Sequence, residues 1–202
     1  NTIGHTRFET TNNARYSQFS TISTMSIIVK LSGIDGYPNG YEFQKLDYQT
    51  FRTEGYKAIA EMMNGVSDKT GVRAEVNNTQ IFGVVAAGTI KDFMINGVKI
   101  GNVTVKANDS DNALIAAINA KKDETGVEAS LENGKLVLAA KDGRAIRIGA
   151  FSGASFMGGD MGGASNGSAG GGVAFLGQMT FIRQDARDIK IGIDGLSTIS
   201  GF

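Results

Sequence analysis

The residues of this chain that invite a chemical reading are one histidine, three Asp-Gly pairs, a glycine-rich run and an oxygen-rich segment. His5 is the only histidine, and cysteine is absent. This composition excludes disulfides, thiolate metal ligands and cysteine nucleophiles. One imidazole without an HExxH segment does not build a histidine metal site, so His5 is read as a surface residue. Gly158-Gly159-Asp160-Met161-Gly162-Gly163 has the glycine density of a phosphate loop. It lacks the Gly-Lys-Ser/Thr ending and the strand-before, helix-after setting that aims amides at a phosphate. Asn108-Asp109-Ser110-Asp111-Asn112 is rich in oxygen donors. An EF-hand calcium loop needs glycine at its sixth place and glutamate at its twelfth, where this chain has Ala113 and Asn119. Helix capping accounts for the segment better. Asp35-Gly36, Asp142-Gly143 and Asp194-Gly195 read as turns, and no Gly-x-Ser-x-Gly elbow occurs. No convergent acid, base, nucleophile or metal set emerges. No catalytic, cofactor-binding or metal-binding residue is assigned, and the chain is expected not to be an enzyme.

The bulk numbers narrow the partners. Twenty Lys and Arg balance twenty Asp and Glu in 202 residues, with no basic run. That leaves no electrostatic footprint for nucleic acid or an anionic membrane. No apolar run approaches the roughly 20 residues that span a bilayer. The first residue is Asn1 rather than Met, which suggests an excised fragment. Asn-x-Ser/Thr tripeptides begin at Asn77, Asn102, Asn108 and Asn166. They carry meaning only in a secretory setting.

Residues with so little chemistry must be explained by the elements that carry them. Residues 58–76 (AIAEMMNGVSDKTGVRAEV) and 113–131 (ALIAAINAKKDETGVEASL) are two versions of one pattern, 55 positions apart. Seven of nineteen paired positions are identical: Ala58/Ala113, Asn64/Asn119, Asp68/Asp123, Thr70/Thr125, Gly71/Gly126, Val72/Val127 and Ala74/Ala129. A period of this length marks a reused supersecondary unit. Tyr56, Ile59, Met62, Met63 and Val66 fall on one helical face, which predicts a helix over 54–69. Leu114, Ile115 and Ile118 repeat it, and Asn108, Asp109 or Ser110 would cap that second helix. Gly71 and Gly126 are placed to end each helix in a left-handed conformation. Strands then follow at 72–76 and 127–131.

Other strands are expected at 16–31, 41–51, 136–138, 146–148, 173–182 and 188–193, from alternating or β-branched runs. Asn133-Gly134 and Asn96-Gly97 are hairpin turns, the latter folding 93–105 back on itself. Residues 33–40 and 141–143 are turns. Residues 152–172 hold nine glycines in 21 positions and read as a loop. The fold class is therefore α+β: tandem units of antiparallel β-hairpins with one short helix each, plus a Gly-rich loop.

Specific residues now resemble a known family. Ile95-Asn96-Gly97-Val98-Lys99-Ile100-Gly101, Asn108-Asp109, Ala116-Ala117-Ile118-Asn119, Thr125-Gly126-Val127-Glu128-Ala129 and Asp142-Gly143-Arg144 are similar to the repeat of bacterial flagellins. Lys69-Thr70-Gly71-Val72-Arg73-Ala74 is a more diverged copy. Residues 3–10 (IGHTRFET) resemble the segment after the N-terminal helices of Campylobacter- and Helicobacter-type flagellins, and 177–181 with 185–189 resemble the return segment. The resemblance implies a central, variable outer region over 1–202. Its repeat units are at about 33–88 and 89–151, its Gly-rich loop at 152–172 and its return strands at 173–202. It implies a structural, extracellular role on the filament surface in motility, without cofactors. Partners would be other flagellin subunits, met mainly through terminal helices missing here; no nucleic acid and no membrane are implied. The isolated fragment would stay monomeric. Ser165, Ser168, Ser197, Thr198 and Ser200 are the candidate O-glycosylation acceptors. A flagellar cap or hook-associated protein is the alternative that also carries the repeat. An adhesin or carbohydrate-binding module would call for clustered aromatics, and the chain has no Trp and 5 Tyr.

Overall fold

In the computed structural model, residues 5–17, 26–149, 152–153, 156 and 172–195 are described. The alternating segments give short β1 (Thr6–Glu9), β2 (Ala14–Ser17), β3 (Ser26–Ser32), β4 (Tyr41–Glu42) and β5 (Leu46–Asp47). Helices α1 (Tyr48–Glu54), α2 (Tyr56–Asn64) and α3 (Ser67–Thr70) follow, then β6 (Val72–Val84), β7 (Gly88–Ile95) and β8 (Val98–Val105). A single 3-10 turn (Ala107–Asp109) leads to α4 (Ala113–Asn119), α5 (Lys122–Thr125), β9 (Val127–Glu132) and β10 (Lys135–Ala140). The described chain closes with β11 (Ile146–Ile148), β12 (Ser152–Gly153), β13 (Val173–Arg183) and β14 (Lys190–Asp194).

The larger sheet runs β12-β7-β11-β13-β6-β10-β9, with β1 and β2 added on β13 and β8 on β7. The smaller runs β14-β3-β4, with β5 also on β3. All the strand pairs are antiparallel. The architecture is thus mostly antiparallel sheet with short helices, as the α+β pattern predicts.

Two apolar clusters hold it together. The first gathers Ile27, Phe51, Tyr56, Ile59, Met63, Leu176 and Phe181. The second gathers Phe82, Phe93, Leu114, Ile118, Leu136 and Phe175. Full burial of side chains such as Ile59 or Leu114 contributes about 1.5–3 kcal/mol each. The long strands β6 and β13 run from one cluster into the other. Their crossing point is polar. β6 pairs with β13 over Val72 to Asn77 and with β10 over Asn78 to Val84. At this division Asn78 is completely buried. Its Nδ2 donates to the carbonyls of Arg144 (2.8 Å) and Phe175 (2.9 Å). Its Oδ1 accepts from Gln80 Nε2 at 2.9 Å, and that same amide donates to Asn12 Oδ1. Gly177 lies opposite at φ +82°, where a Cβ would come within 2.6 Å of Asn77 O and 2.7 Å of Asn78 Cβ. Only glycine lets the two strands approach this closely.

The duplicated residues do the same work twice. Asn64 Nδ2 donates to Ala74 O (2.9 Å), and Asn64 Oδ1 accepts from Ala74 N (2.8 Å). Asn119 makes the same two bonds to Ala129, at 3.0 and 2.8 Å. Each asparagine thereby stands in for a strand partner. Thr70 and Thr125 accept from the amides of Val72 and Val127, and Gly71 and Gly126 sit at φ +71° and +74°.

Several boundaries differ from expectation. The helix expected over 54–69 is α2 and then α3, broken at Gly65 and Val66, because Asn64 turns its amide to the strand. Residues 41–51 are not one strand. Asp47 caps α1 by accepting from Gln49 N, and Tyr48 and Phe51, three apart, both face the core. The strand expected over 16–31 appears as β2 and β3, with 18–25 outside the described residues. The strand at 72–76 extends to Val84, because buried Asn78 and Gln80 find partners inside the sheet. Most of the expected loop 152–172 lies outside the described residues, while β12 and buried Phe156 lie within it.

Asn78→Leu keeps the volume and withdraws both donors. It is expected to lower the free energy of unfolding by about 3 kcal/mol, since orphaned buried acceptors lose about 1–3 kcal/mol each. Urea unfolding monitored by circular dichroism measures this, and a loss below about 0.5 kcal/mol, the range of a neutral surface change, contradicts it.

Candidate functional site

The most elaborate polar geometry lies where β13 turns toward β14. Arg183 ends β13 almost fully buried. Its Nη1 donates to Asp188 O (2.9 Å), its Nη2 to Gly33 O (2.8 Å), and its Nε lies 2.9 Å from Asp185 Oδ1. Arg187 grips two carboxylates. Its Nη1 and Nη2 lie 2.8 and 3.0 Å from the oxygens of Asp35, and Nη2 lies 2.7 Å from Asp185 Oδ2. The knot joins the turn after β3 to the turn after β13, and so ties the small sheet to the large one.

A second charged surface lies on the hairpin side. Lys122, Glu128, Lys141 and Asp142 help line an open groove of about 310 Å³. Glu128 is 3.0 Å from Lys141 and 3.8 Å from Lys122. Asp142 is 2.7 Å from Arg144, whose Nη1 reaches Thr125 O.

These carboxylates are held in their charged form. Hydrogen bonds from Arg187 lower Asp35 and Asp185, and a hydrogen bond from Lys141 lowers Glu128. Burial raises Asp142, but the hydrogen bonds and charge of Arg144 outweigh it and leave the group below its ordinary value. A general acid at neutral pH needs the opposite shift. The geometry therefore suits static ion pairs. Asp35 and Asp142, read as turn residues, are turn residues with a cationic partner each.

Asp109 shows what the oxygen-rich segment does. Its carboxylate is fully buried and accepts from Leu114 N (2.9 Å) and Ile115 N (3.0 Å). It caps α4 from within the 3-10 turn, the role expected of one of the three residues before that helix. Among the described residues no group of three His, Cys, Asp or Glu is placed to hold a metal. His5 is exposed. Ser165, Ser168, Ser197, Thr198 and Ser200, and the glycine run at 158–163, lie outside the described residues. The ionic knot was missed in the sequence. Its readable trace is spacing: Asp185/Arg187, like Asp142/Arg144 and Arg73/Glu75, are opposite charges two apart. Asp35, 152 residues away from Arg187, leaves no such trace.

Asp185 titrates at about 2 instead of 3.8 because Arg187 bonds its carboxylate through side chain and backbone. With a lowered folded-state value, the knot's stabilisation is whole above 3.8 and is lost as the pH falls toward about 2. Arg187→Gln is expected to return the Asp185 midpoint toward 3.8 in a carboxyl-carbon NMR titration; an unmoved midpoint removes Arg187 as the cause.

Comparison with known proteins places this geometry. Residues 92–142, which run from within β7 to the Asp142 turn, match the family described as "Flagellin hook IN motif". Flagellin B of Helicobacter pylori is 37% identical over 197 residues, covering 94% of this chain and 37% of that protein. Flagellin A of Helicobacter felis is 34% identical over 165 residues, covering 78% of this chain and 32% of the relative. Flagellin A of Helicobacter mustelae is 38% identical over 150 residues, covering 68% and 30%. The chain thus spans between 30% and 37% of the length of these curated relatives. Similar to them over most of its own length, and carrying the hook IN motif on its second apolar cluster, the chain belongs to the flagellins of the Helicobacter type.

Proposed function

We propose that this chain is the outer, solvent-facing portion of a flagellar filament subunit, with a structural role in bacterial motility outside the cell. The observation that carries the reading is its similarity to flagellin B across 94% of its residues, not only over the motif. That breadth favours a filament subunit over a cap or hook-associated protein that shares the repeat alone. The geometry agrees in kind. The longest helix among the described residues has nine residues, too short for the long coiled packing of a filament core. The carboxylates whose titration departs from the ordinary are fixed in ion pairs rather than poised for proton transfer. No described arrangement calls for a catalytic role.

The doubled segment fits two copies of one scaffold unit, one on each apolar cluster. The Asn64–Ala74 and Asn119–Ala129 pairs support this, since the identical residues are those that bond the helix end to the following strand. Contacts with neighbouring subunits would come mainly from the parts of the polypeptide outside these 202 residues. On this reading the isolated chain stays monomeric. Sedimentation at concentrations where the full-length subunit polymerises is expected to show one monomer boundary, with no fibres by electron microscopy. Regular filaments built by the isolated chain overturn the assignment of an outer, non-polymerising portion.

A further inference from the structure

Phe8 on β1 is 47% exposed, and its ring lies on that of Phe181, with centroids 6.0 Å apart. Phe8, Thr10, Thr11, Phe181, Ile191 and Ile193 line a mainly apolar groove of about 280 Å³. Its walls are β1 and β14. Among the described residues each pairs on one side only, β1 with β13 and β14 with β3. An exposed aromatic over an apolar floor, between two edge strands, marks a surface that gains by being covered.

The position of the groove in the chain identifies what covers it. β1 opens two residues before Phe8, and β14 closes one residue after Ile193. Both walls therefore lead directly to the ends of the described chain. The curated relatives are far longer, since 197 aligned residues make up 37% of flagellin B. In a subunit of that length the polypeptide continues beyond this chain at one end or both, and so is tethered beside a wall of the groove. A short tether gives a local concentration on the order of millimolar, well above that of a second copy in dilute solution. We propose that the groove seats an apolar face of the same polypeptide, from the part outside residues 1–202, and so fixes the orientation of this region on the rest of the subunit. The inference rests on the reading of the chain as part of a longer flagellin subunit.

The absence of cysteine makes a direct test available. Full-length subunits carry one cysteine each: Phe8→Cys in the groove, Thr11→Cys on its exposed rim, or Asp68→Cys at an exposed position of α3 as reference. Maleimide labelling is followed in the unpolymerised subunit and again in filaments. In the unpolymerised subunit, positions 8 and 11 are expected to react about tenfold or more slowly than position 68, as a closed contact requires. Polymerisation is expected to add no further protection. Thr11→Cys keeps the test open should the loss of Phe8 disturb β1. Labelling at the reference rate in both states overturns the proposal. Protection that appears only in filaments also overturns it, and assigns the groove to a second copy. Failure to form filaments would count against the filament reading alone, because the groove is already read in the unpolymerised subunit.

Discussion

Asn78 stands where β6 leaves β13 and joins β10, with both amide hydrogens donated to carbonyls of other segments and its oxygen taken by Gln80. A sheet that divides in this way exposes backbone groups that neither branch satisfies. In an apolar interior those groups must find partners. One fully buried side chain supplies them, and Gly177 opposite keeps the strands close enough for it to reach. Both apolar clusters lean on this point. Along β13, Phe181 and Met179 of the first cluster lie on one side of it, and on the other Phe175 and Val173 of the second cluster alternate with Ala174 and Leu176 of the first. The two cores therefore share a polar seam rather than one continuous apolar interior.

Around that seam the molecule repeats one local solution. The helices α2 and α4 are short and marginal by themselves. Each is fastened at its end by an asparagine that bonds both backbone groups of an alanine in the following strand. The charges then fix larger parts to each other. Buried Arg183 reaches Gly33 and Asp188, and Arg187 grips Asp35, so the small sheet is held by donors from the end of β13. Exposed ion pairs contribute little individually, but bidentate and networked ones add geometric definition. This distribution of polar groups suits a rigid, solvated exterior. It supports the structural role proposed for the chain.

Much of this was legible in the residues. The break after Asn64 was not, but the identities at Thr70/Thr125 and Gly71/Gly126 located the stops before β6 and β9, because those contacts are local in sequence. Asp109 was recognisable as a cap for the same reason. The length of β6 was not legible. The polar run Asn77-Asn78-Thr79-Gln80 carries no apolar alternation, and the partners of Asn78 lie 66 and 97 residues away. Helix α1 was hidden inside an apparently alternating run, since Tyr48 and Phe51 declare their helical spacing only once Asp47 is seen to cap them. The ionic knot needed Asp35, and the groove at Phe8 needed β14. For β6, the knot and the groove the missing information was a long-range contact, which no local pattern encodes; for α1 it was a local cap.

The central claim is that the polar seam makes one cooperative structure of two apolar clusters. Native-state hydrogen exchange in increasing urea tests it through the amides of Ile59 in α2 and Ile118 in α4. If the seam couples the clusters, both amides open with the same free energy, to within about 0.5 kcal/mol. If Ile118 opens several kcal/mol more easily while Ile59 stays protected, the clusters are independent and Asn78 does not join them.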